Sequence, residues 1–233
     1  IALVGPLADA QLNMTGTWSV AAVNNQSITV LQGLRNAVNN PAQISYAKGS
    51  NLTADKALED RATVFGKSLS RDNRSQQELL NEAIEISKNA DVIVAALGES
   101  AEFSGESSSR TNLDIPDVQK HLLMELSKLG KPIILLVFNG RPLTLSWENE
   151  HIPAILDVWF PGSEAGDAIS DVIFGKVNPS GKLSMTFPQN VGQIPIYYNH
   201  KNTGRPLPDG QWFQKFRSNY LDVSNDPLYP FGY

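Results

Sequence analysis

Apolar residues recur along this chain in two patterns that alternate. Uninterrupted apolar runs at residues 92–97 and 133–138 are typical of strands that are covered on both faces of a parallel sheet. Between them, Val118, Leu122 and Leu126 recur at the spacing of an amphipathic helix. Similar runs and stripes follow one another through the first three quarters of the sequence. The alternation predicts an open, largely parallel α/β sheet with helices on both faces.

Caps and breakers mark the ends of these elements. Residues 75–78, Ser-Gln-Gln-Glu, have the form of a capping box and predict the start of a helix that ends near residue 90. A short helix is also expected in the polar region of residues 48–74. Strands are predicted at 1–4, 43–47, 92–98, 133–138 and 154–159, and helices at 29–38, 75–90, 117–129 and 164–174. From residue 178 the periodicity disappears, which predicts an irregular arm on the surface.

Composition and charge exclude several classes of protein. The 233 residues are 41% hydrophobic and 18% charged, as in an ordinary globular chain. A formal net charge of −5 gives no uniform attraction to nucleic acid or to an anionic membrane, and the longest apolar runs are far shorter than a bilayer span. Cysteine is absent, which excludes disulfides, thiolate nucleophiles and cysteine-based metal sites. We therefore predict neither nucleic acid nor a membrane as a partner.

Metal and cofactor motifs are also missing from the sequence. The histidines His121, His151 and His200 lie too far apart for the short spacings typical of a metal site. Residues 162–166, Gly-Ser-Glu-Ala-Gly, precede a predicted helix but lack the glycine arrangement of a dinucleotide-binding loop. The sequence contains neither a P-loop nor a nucleophile elbow. It therefore predicts no metal and no cofactor, and it disfavours a nucleotide-binding domain.

The loop after the third predicted strand is the strongest candidate for chemistry. Residues 99–112 have the sequence E-S-A-E-F-S-G-E-S-S-S-R-T-N and include the carboxylates Glu99, Glu102 and Glu106. In α/β domains, ligands gather at loops beyond the carboxyl ends of parallel strands. Gly105 before Glu106 and three serines after it allow a tight turn that presents this carboxylate at the tip. The loop therefore has two interpretations: it delivers a general acid or base to a neighbouring surface, or it is a solvated acidic surface, which composition alone favours.

Two further features each have two interpretations. Arg110 either pairs with one of the loop carboxylates or is an ordinary surface arginine. The aromatic residues of the arm either stack on a sugar or pin the arm to the sheet, and pinning is the favoured interpretation. These aromatic residues are Trp212, Phe213, Phe216 and Tyr220.

A long and specific motif occupies residues 159–188, W-F-P-G-S-E-A-G-D-A-I-S-D-V-I-F-G-K-V-N-P-S-G-K-L-S-M-T-F-P. It resembles the signature of the second domain of family 3 glycoside hydrolases. Four segments outside this motif also match the same family, so that the resemblance extends over all 233 residues. They are I-A-L-V-G-P at 1–6, V-I-V-A-A-L-G-E at 92–99, N-G-R-P at 139–142 and P-L-Y-P-F-G-Y at 227–233. Residues 198–206, Y-N-H-K-N-T-G-R-P, are similar to the bacterial periplasmic β-glucosidase branch of that family.

The resemblance implies a fold and a domain organisation. Residues 1–188 are expected to form a three-layer α/β sandwich with a largely parallel six-stranded sheet. Residues 189–233 are expected to form an irregular arm that packs on the sandwich and leads to a fibronectin-like domain. In that family a (β/α)8 barrel supplies the aspartate nucleophile and most of the sugar pocket. The resemblance thus implies that the barrel lies upstream of Ile1, outside this chain, and that the chain alone is inactive.

The resemblance also implies site residues. The family pattern E-x-x-x-R-x-N-L-x-I-P falls on Glu106, Arg110, Asn112, Leu113, Ile115 and Pro116. Glu106 therefore matches the family's acid/base residue, Glu99 is the runner-up, and Glu99 and Arg110 are candidate substrate-binding residues. Many relatives have E-G-x-D-R where this chain has E-S-S-S-R, a change that replaces a glycine and an acidic neighbour.

The implied function is acid/base catalysis in a retaining exo-β-glucosidase. Such an enzyme removes terminal β-linked glucose from gluco-oligosaccharides, which are the expected substrate. The alternatives are β-xylosidase activity of the same family and a non-catalytic carbohydrate-binding or interaction module. The family also implies a periplasmic or secreted location.

Overall fold

The fold is described by a computed structural model of residues 1–62, 67, 69–201, 204–208 and 210–233. Strands and helices alternate within it as the sequence predicts. The strands are β1 (Ala2–Val4), β2 (Ser45–Ala47), β3 (Ile93–Gly98), β4 (Ile133–Phe138) and β5 (Ala154–Trp159), and the helices are α1 (Val30–Ala37), α2 (Lys56–Arg61), α3 (Gln76–Lys88), α4 (Asp117–Ser127), α5 (Ser146–His151) and α6 (Ala165–Ile173). The expected short helix in the polar region is α2, whereas residues 63–66 and 68 of that region lie outside the described residues.

The described strands form one parallel sheet in the order β2-β1-β3-β4-β5. This sheet has five strands, so the expectation of six is wrong for the described residues. Beyond β5 the chain pairs with its own C-terminal segment. The N–H of Phe187 donates to the carbonyl of Tyr229 at 2.9 Å, and the N–H of Gly232 donates to the carbonyl of Leu183 at 2.8 Å. The backbone of Leu183 and Phe187 thus pairs with the end of the arm, and these residues do not add a strand to the sheet beside β5.

The sheet separates two apolar layers. In β3, Val94 and Ala96 pack with residues of α1 and α6, whereas Ala95 and Leu97 pack with residues of α3 and α4. Every residue of β3 is buried, because neighbouring strands and helices cover both its edges and both its faces. The prediction of a three-layer α/β sandwich with helices on both faces is confirmed.

Side-chain caps fix the starts of two of the predicted helices, α1 and α3. Ser75 and Glu78 form a reciprocal capping box at the start of α3, with the N–H of Ser75 donating to the Glu78 carboxylate at 2.8 Å. Thr29 caps α1 in the same way. Helix α5 is not predicted from the sequence, because S-W-E-N-E-H has no apolar stripe of helical period. Within the described part of the chain, no helix is both long and apolar enough to cross a bilayer.

Polar contacts and a few buried rings hold the described parts of the arm. The side-chain amide of Gln193 donates to the carbonyl of Ser224 at 2.8 Å, and the Tyr229 hydroxyl donates to Asn149 at the same distance. The ring of Tyr229 lies 6.1 Å from the buried ring of Phe187. The prediction that four other aromatic residues pin the arm is wrong, because their side chains are exposed. They are Trp212, Phe213, Phe216 and Tyr220.

Candidate active site

The predicted acidic loop, residues 99–112, lies at the centre of the sheet's carboxyl edge. It follows β3, which is hydrogen-bonded to β1 on one side and to β4 on the other. Strand β2 lies on one side of β1, whereas β3, β4 and β5 follow one another on the other side. The direction in which strands are added to the sheet therefore reverses between β2 and β3. Such a reversal leaves a crevice outside the carboxyl ends of the two central strands, where open α/β sheets bind ligands. The fold therefore places the loop at a position suited to chemistry.

Glu99, the first residue of the loop, is a buried ion-pair partner of two arginines. Its side chain has no exposed surface. Arg110 donates to one carboxylate oxygen, and the Nε of Arg141 donates to the other at 3.1 Å. The N–H of Glu99 donates to the carbonyl of Phe138 at 2.8 Å, which ties the residue to β4. The Glu99 carboxylate is thus fully occupied by groups of this domain.

Glu102, the second carboxylate, is also buried. Its residue is 5% exposed, and one carboxylate oxygen accepts from the N–H of Lys67 at 2.7 Å. Two neighbouring residues hold the same part of the loop. Asn13 accepts from the N–H of Ala101 at 2.5 Å, and the Thr17 hydroxyl bonds the carbonyl of Ala101. The first half of the loop is therefore packed and hydrogen-bonded to the segment that follows β1.

Glu106, the third carboxylate, lies exposed on a tight turn. Gly105 before it has φ +127°, and Ser107 after it has φ +60°. Both values lie in the region that favours glycine, so Ser107 adopts a backbone conformation that costs about 1 kcal/mol for an L-residue with a side chain. The sequence places Ser107 where many relatives of the implied family have glycine, and the turn is present despite the substitution.

A comparison with known families decides to which family the chain belongs. The model of the glycosyl hydrolase family 3 C-terminal domain matches residues 1–233. The chain belongs to glycoside hydrolase family 3. The resemblance on which the site prediction rests is therefore confirmed at the level of the family, and the α/β fold is the one found in family 3 structures.

Relatives in family 3 are similar over the whole of this chain. The periplasmic β-glucosidase of Salmonella typhimurium is 51% identical and the β-xylosidase of Formosa agariphila is 35% identical, each over 100% of this chain. The solved β-glucosidase of Listeria innocua in complex with isofagomine is 38% identical over 100% of the chain, with a TM-score of 0.85. The chain spans 30% of the length of the first of these proteins and 29% of each of the other two.

Sequence reasoning missed Arg141, which the fold brings to the acidic loop. Arg141 belongs to the N-G-R-P segment after β4, and parallel pairing of β3 with β4 places the two loops side by side. Its Nη2 donates to the carbonyl of Phe103 and, at 2.7 Å, to that of Ser108. The available signal was position: two polar loops that follow adjacent parallel strands meet at the same edge of the sheet.

The other predicted motifs lie away from this loop or have a packing role. Gly166, the last residue of the G-S-E-A-G segment, lies in α6 against α1, where a Cβ would lie 2.0 Å from the carbonyl oxygen of Thr29. His151 stacks on Trp147 with ring centroids 4.5 Å apart. His121 and His200 are exposed. In the described ranges no group of three or more His, Asp or Glu side chains is arranged to hold a metal ion.

Asp157, outside the acidic loop, is an ionisable residue whose pKa is raised. It lies in β5, beside a crevice lined by the rings of Trp159 and Tyr229. Burial raises the pKa of its carboxyl to about 6, and hydrogen bonds from the N–H of Trp159 and the side chain of Asn139 oppose that rise. The sequence signal is one carboxylate inside a predicted strand that is otherwise apolar.

Proposed function

We propose that this chain is the acid/base-supplying domain of a retaining exo-β-glucosidase, with Glu106 as the acid/base residue. The observation that carries the proposal is the contrast within the acidic loop. Glu99 and Glu102 are buried and bonded to groups of this domain, whereas Glu106 is exposed at a turn. An acid/base residue has to reach the glycosidic oxygen of a bound substrate, so an exposed carboxylate is suited to the role and one held by two guanidinium groups is not.

The chemistry requires a second carboxylate. In a retaining glycosidase two carboxyl groups lie about 5 to 5.5 Å apart, one attacking the anomeric carbon while the other protonates the leaving oxygen and then activates water. We propose that the nucleophilic carboxylate comes from the remainder of a longer polypeptide, in a barrel domain docked against the acidic loop. The size of the relatives supports this, because the chain spans 30% of the Salmonella typhimurium protein.

The proposed substrate is a gluco-oligosaccharide with a terminal β-linked glucose. The names of the relatives support this class, since one is a β-glucosidase and another a β-xylosidase. Xylose at the same position is the second candidate, because the β-xylosidase is 35% identical over the whole chain. Comparison of kcat/KM for aryl β-glucosides and aryl β-xylosides distinguishes the two sugars. We propose a periplasmic or secreted location, supported by the periplasmic relative.

The test of Glu106 uses a catalytically complete polypeptide. A suitable one is a chimera in which this chain replaces the matching segment of the Salmonella typhimurium periplasmic β-glucosidase. Glu106→Ala is expected to lower kcat/KM for cellobiose by about 10²- to 10⁴-fold, because the poor leaving group needs protonation. For a dinitrophenyl β-glucoside, whose leaving group needs no proton, kcat/KM is expected to change much less. Added azide is expected to restore kcat on that substrate by attacking the glycosyl-enzyme without a base.

Two control variants sharpen this test. Glu85→Ala removes an exposed glutamate of α3 and is expected to leave kcat/KM for both substrates unchanged. If Glu106→Ala retains the turnover of the parent enzyme on cellobiose, or if Glu99→Ala shows the larger leaving-group dependence together with azide rescue, the assignment of Glu106 is wrong. The isolated 233-residue chain is expected to hydrolyse neither substrate.

A non-catalytic carbohydrate-binding module is the alternative from another functional class. Titration of the 233-residue chain with cellobiose in a calorimeter separates the two. We expect no measurable heat of binding, because the proposed sugar pocket is completed by another domain. Tight binding by this chain alone would favour the module.

A further inference from the structure

The guanidinium group of Arg141 bonds the acidic loop on both sides of Glu106. Its Nη2 donates to the carbonyl of Phe103, three residues before Glu106, and to the carbonyl of Ser108, two residues after it. The same nitrogen lies 3.4 Å from the Ser104 hydroxyl. One planar group therefore fixes both ends of the turn that carries the exposed carboxylate.

Arg141 is itself anchored to the sheet. Its Nε donates to the buried Glu99 carboxylate at 3.1 Å, and the N–H of Glu99 donates to the β4 carbonyl of Phe138. The backbone carbonyl of Arg141 accepts from the side-chain amide of Asn139 at 3.0 Å. The Arg141 side chain is 18% exposed, so these bonds form in a mostly desolvated environment in which they are stronger than in water. The position of the guanidinium group relative to β3 and β4 is therefore well defined.

The segment that carries Arg141 packs directly on the loop. A Cβ on Gly140 would lie 2.5 Å from the Oγ of Ser104 and 2.3 Å from the ring of Phe160. A side chain at position 140 would thus push the segment and the loop apart. Glycine there permits the close approach that lets Arg141 reach carbonyls on both sides of the turn.

The turn at Glu106 needs such a support. Gly105 and Ser107 both have positive φ, and the Glu106 side chain is exposed. An acid/base residue loses much of its effect when it is displaced by about 1 Å, a displacement that costs on the order of 10²-fold in rate. Lysine cannot replace this arginine, because an ammonium group is a point charge that lacks the planar fork needed to bond a carboxylate and two separate carbonyls.

We infer that Arg141 is a positioning residue for Glu106, holding the turn of the acidic loop so that the carboxylate meets the glycosidic oxygen; this inference rests on the proposed function. Arg110 differs from Arg141 in its contacts. It pairs with Glu99 and lies over the ring of Phe103, with its guanidinium carbon 5.5 Å from the ring centroid. Arg141 is the residue that links the buried carboxylate to carbonyls on both sides of Glu106.

The experiment compares Arg141→Lys, Gly140→Ala and Glu106→Ala in the catalytically complete polypeptide described above. Arg141→Lys is expected to lower kcat/KM for cellobiose by about 10²-fold and that for dinitrophenyl β-glucoside by less than about threefold. KM for the dinitrophenyl substrate is expected to stay near that of the parent, because no sugar contact is removed. Gly140→Ala is expected to show the same leaving-group dependence. Turnover of the dinitrophenyl substrate reports that each variant is folded.

Arg71→Lys is the matched control for the loss of a guanidinium group. Arg71 also bonds a carboxylate, that of Glu59, and two backbone carbonyls, those of Thr53 and Ala54, and none of these three acceptors belongs to the acidic loop. The Arg71→Lys variant is expected to keep the parent's kcat/KM for both substrates. An Arg141→Lys variant that loses activity equally on both substrates, or on neither, overturns the inference while Glu106 keeps its role. If Glu106→Ala itself shows no leaving-group dependence, both the inference and the proposed function are wrong.

Discussion

Arg141 and Glu99 form a salt bridge of 3.1 Å between Nε and a carboxylate oxygen, and the Glu99 side chain has no exposed surface. Arg110 binds the other oxygen of the same carboxylate. One buried negative charge is therefore shared by two guanidinium groups that are each less than one fifth exposed, and the three side chains together carry a net charge of +1. Removal of a single partner from such a cluster leaves uncompensated charge in a desolvated environment.

Glu99→Ala is expected to lower the free energy of unfolding of this domain by about 3 kcal/mol. The cost arises because both arginines lose their shared carboxylate while they remain largely buried. Urea unfolding of the 233-residue chain, followed by circular dichroism, measures the change. Glu85→Ala on the exposed side of α3 is the control and should change stability by less than about 0.5 kcal/mol. A loss below about 1 kcal/mol for Glu99→Ala would show that the cluster contributes little.

Glu106→Ala is expected to leave the stability of the same chain unchanged within about 0.5 kcal/mol. The side chain is exposed, so its removal neither creates a cavity nor strands a buried charge. The same urea titration measures the effect. Of these two residues in one loop, the substitution of Glu99 should therefore have the larger effect on stability, and the substitution of Glu106 should have the larger effect on catalysis. Destabilisation by more than about 2 kcal/mol would indicate that Glu106 has a structural role.

Asp157 is expected to make stability depend on pH between about 4 and 6. Burial raises the pKa of the folded-state carboxyl from 3.8 to about 6. The protonated acid therefore favours the folded state, and this contribution, up to about 3 kcal/mol, is present at low pH and lost as the pH rises through about 6. Asp157→Asn, neutral at every pH, should be more stable than the parent at pH 7.

Urea titrations at several pH values test this expectation. The difference between the parent and Asp157→Asn isolates the contribution of this carboxyl from that of the other ionisable groups, which both proteins share. Asp91→Asn, a change at an exposed aspartate, is the control and should leave the pH profile unchanged. A constant difference between parent and Asp157→Asn from pH 4 to pH 7 would contradict the raised pKa.

Gly166→Ala is expected to destabilise the domain by about 2 kcal/mol or more. Helices α1 and α6 touch through their backbones here, and a Cβ on Gly166 would lie 2.0 Å from the Thr29 carbonyl oxygen. The better helix propensity of alanine, at most about 1 kcal/mol, does not compensate for that overlap. Thermal and urea unfolding measure the loss. Gly181→Ala, where a Cβ meets no atom within 4 Å, should be neutral.

Much of the fold is predictable because it depends on local pattern. The bounds predicted for β4 and β5, residues 133–138 and 154–159, agree with the structure at every residue. The capping box at Ser75 correctly predicts the start of α3. Helix α5 is not predictable in this way, because its six polar and aromatic residues become helical through packing against the sheet and the arm. Among the described residues the sheet has five strands, and the backbone of Leu183 and Phe187 bonds the C-terminal segment, a long-range contact that no local pattern predicts.

The sequence by itself determined that residues 99–112 form a carboxylate-rich loop after a buried strand, and that the chain resembles family 3 glycoside hydrolases. It did not determine which of the three carboxylates are buried. For Glu99 that outcome depends on Arg141, which lies 42 residues away and reaches it through the parallel pairing of β3 with β4. Burial and charge pairing are set by neighbours in space, and only the tertiary structure brings those neighbours together around Glu99 while it leaves Glu106 exposed.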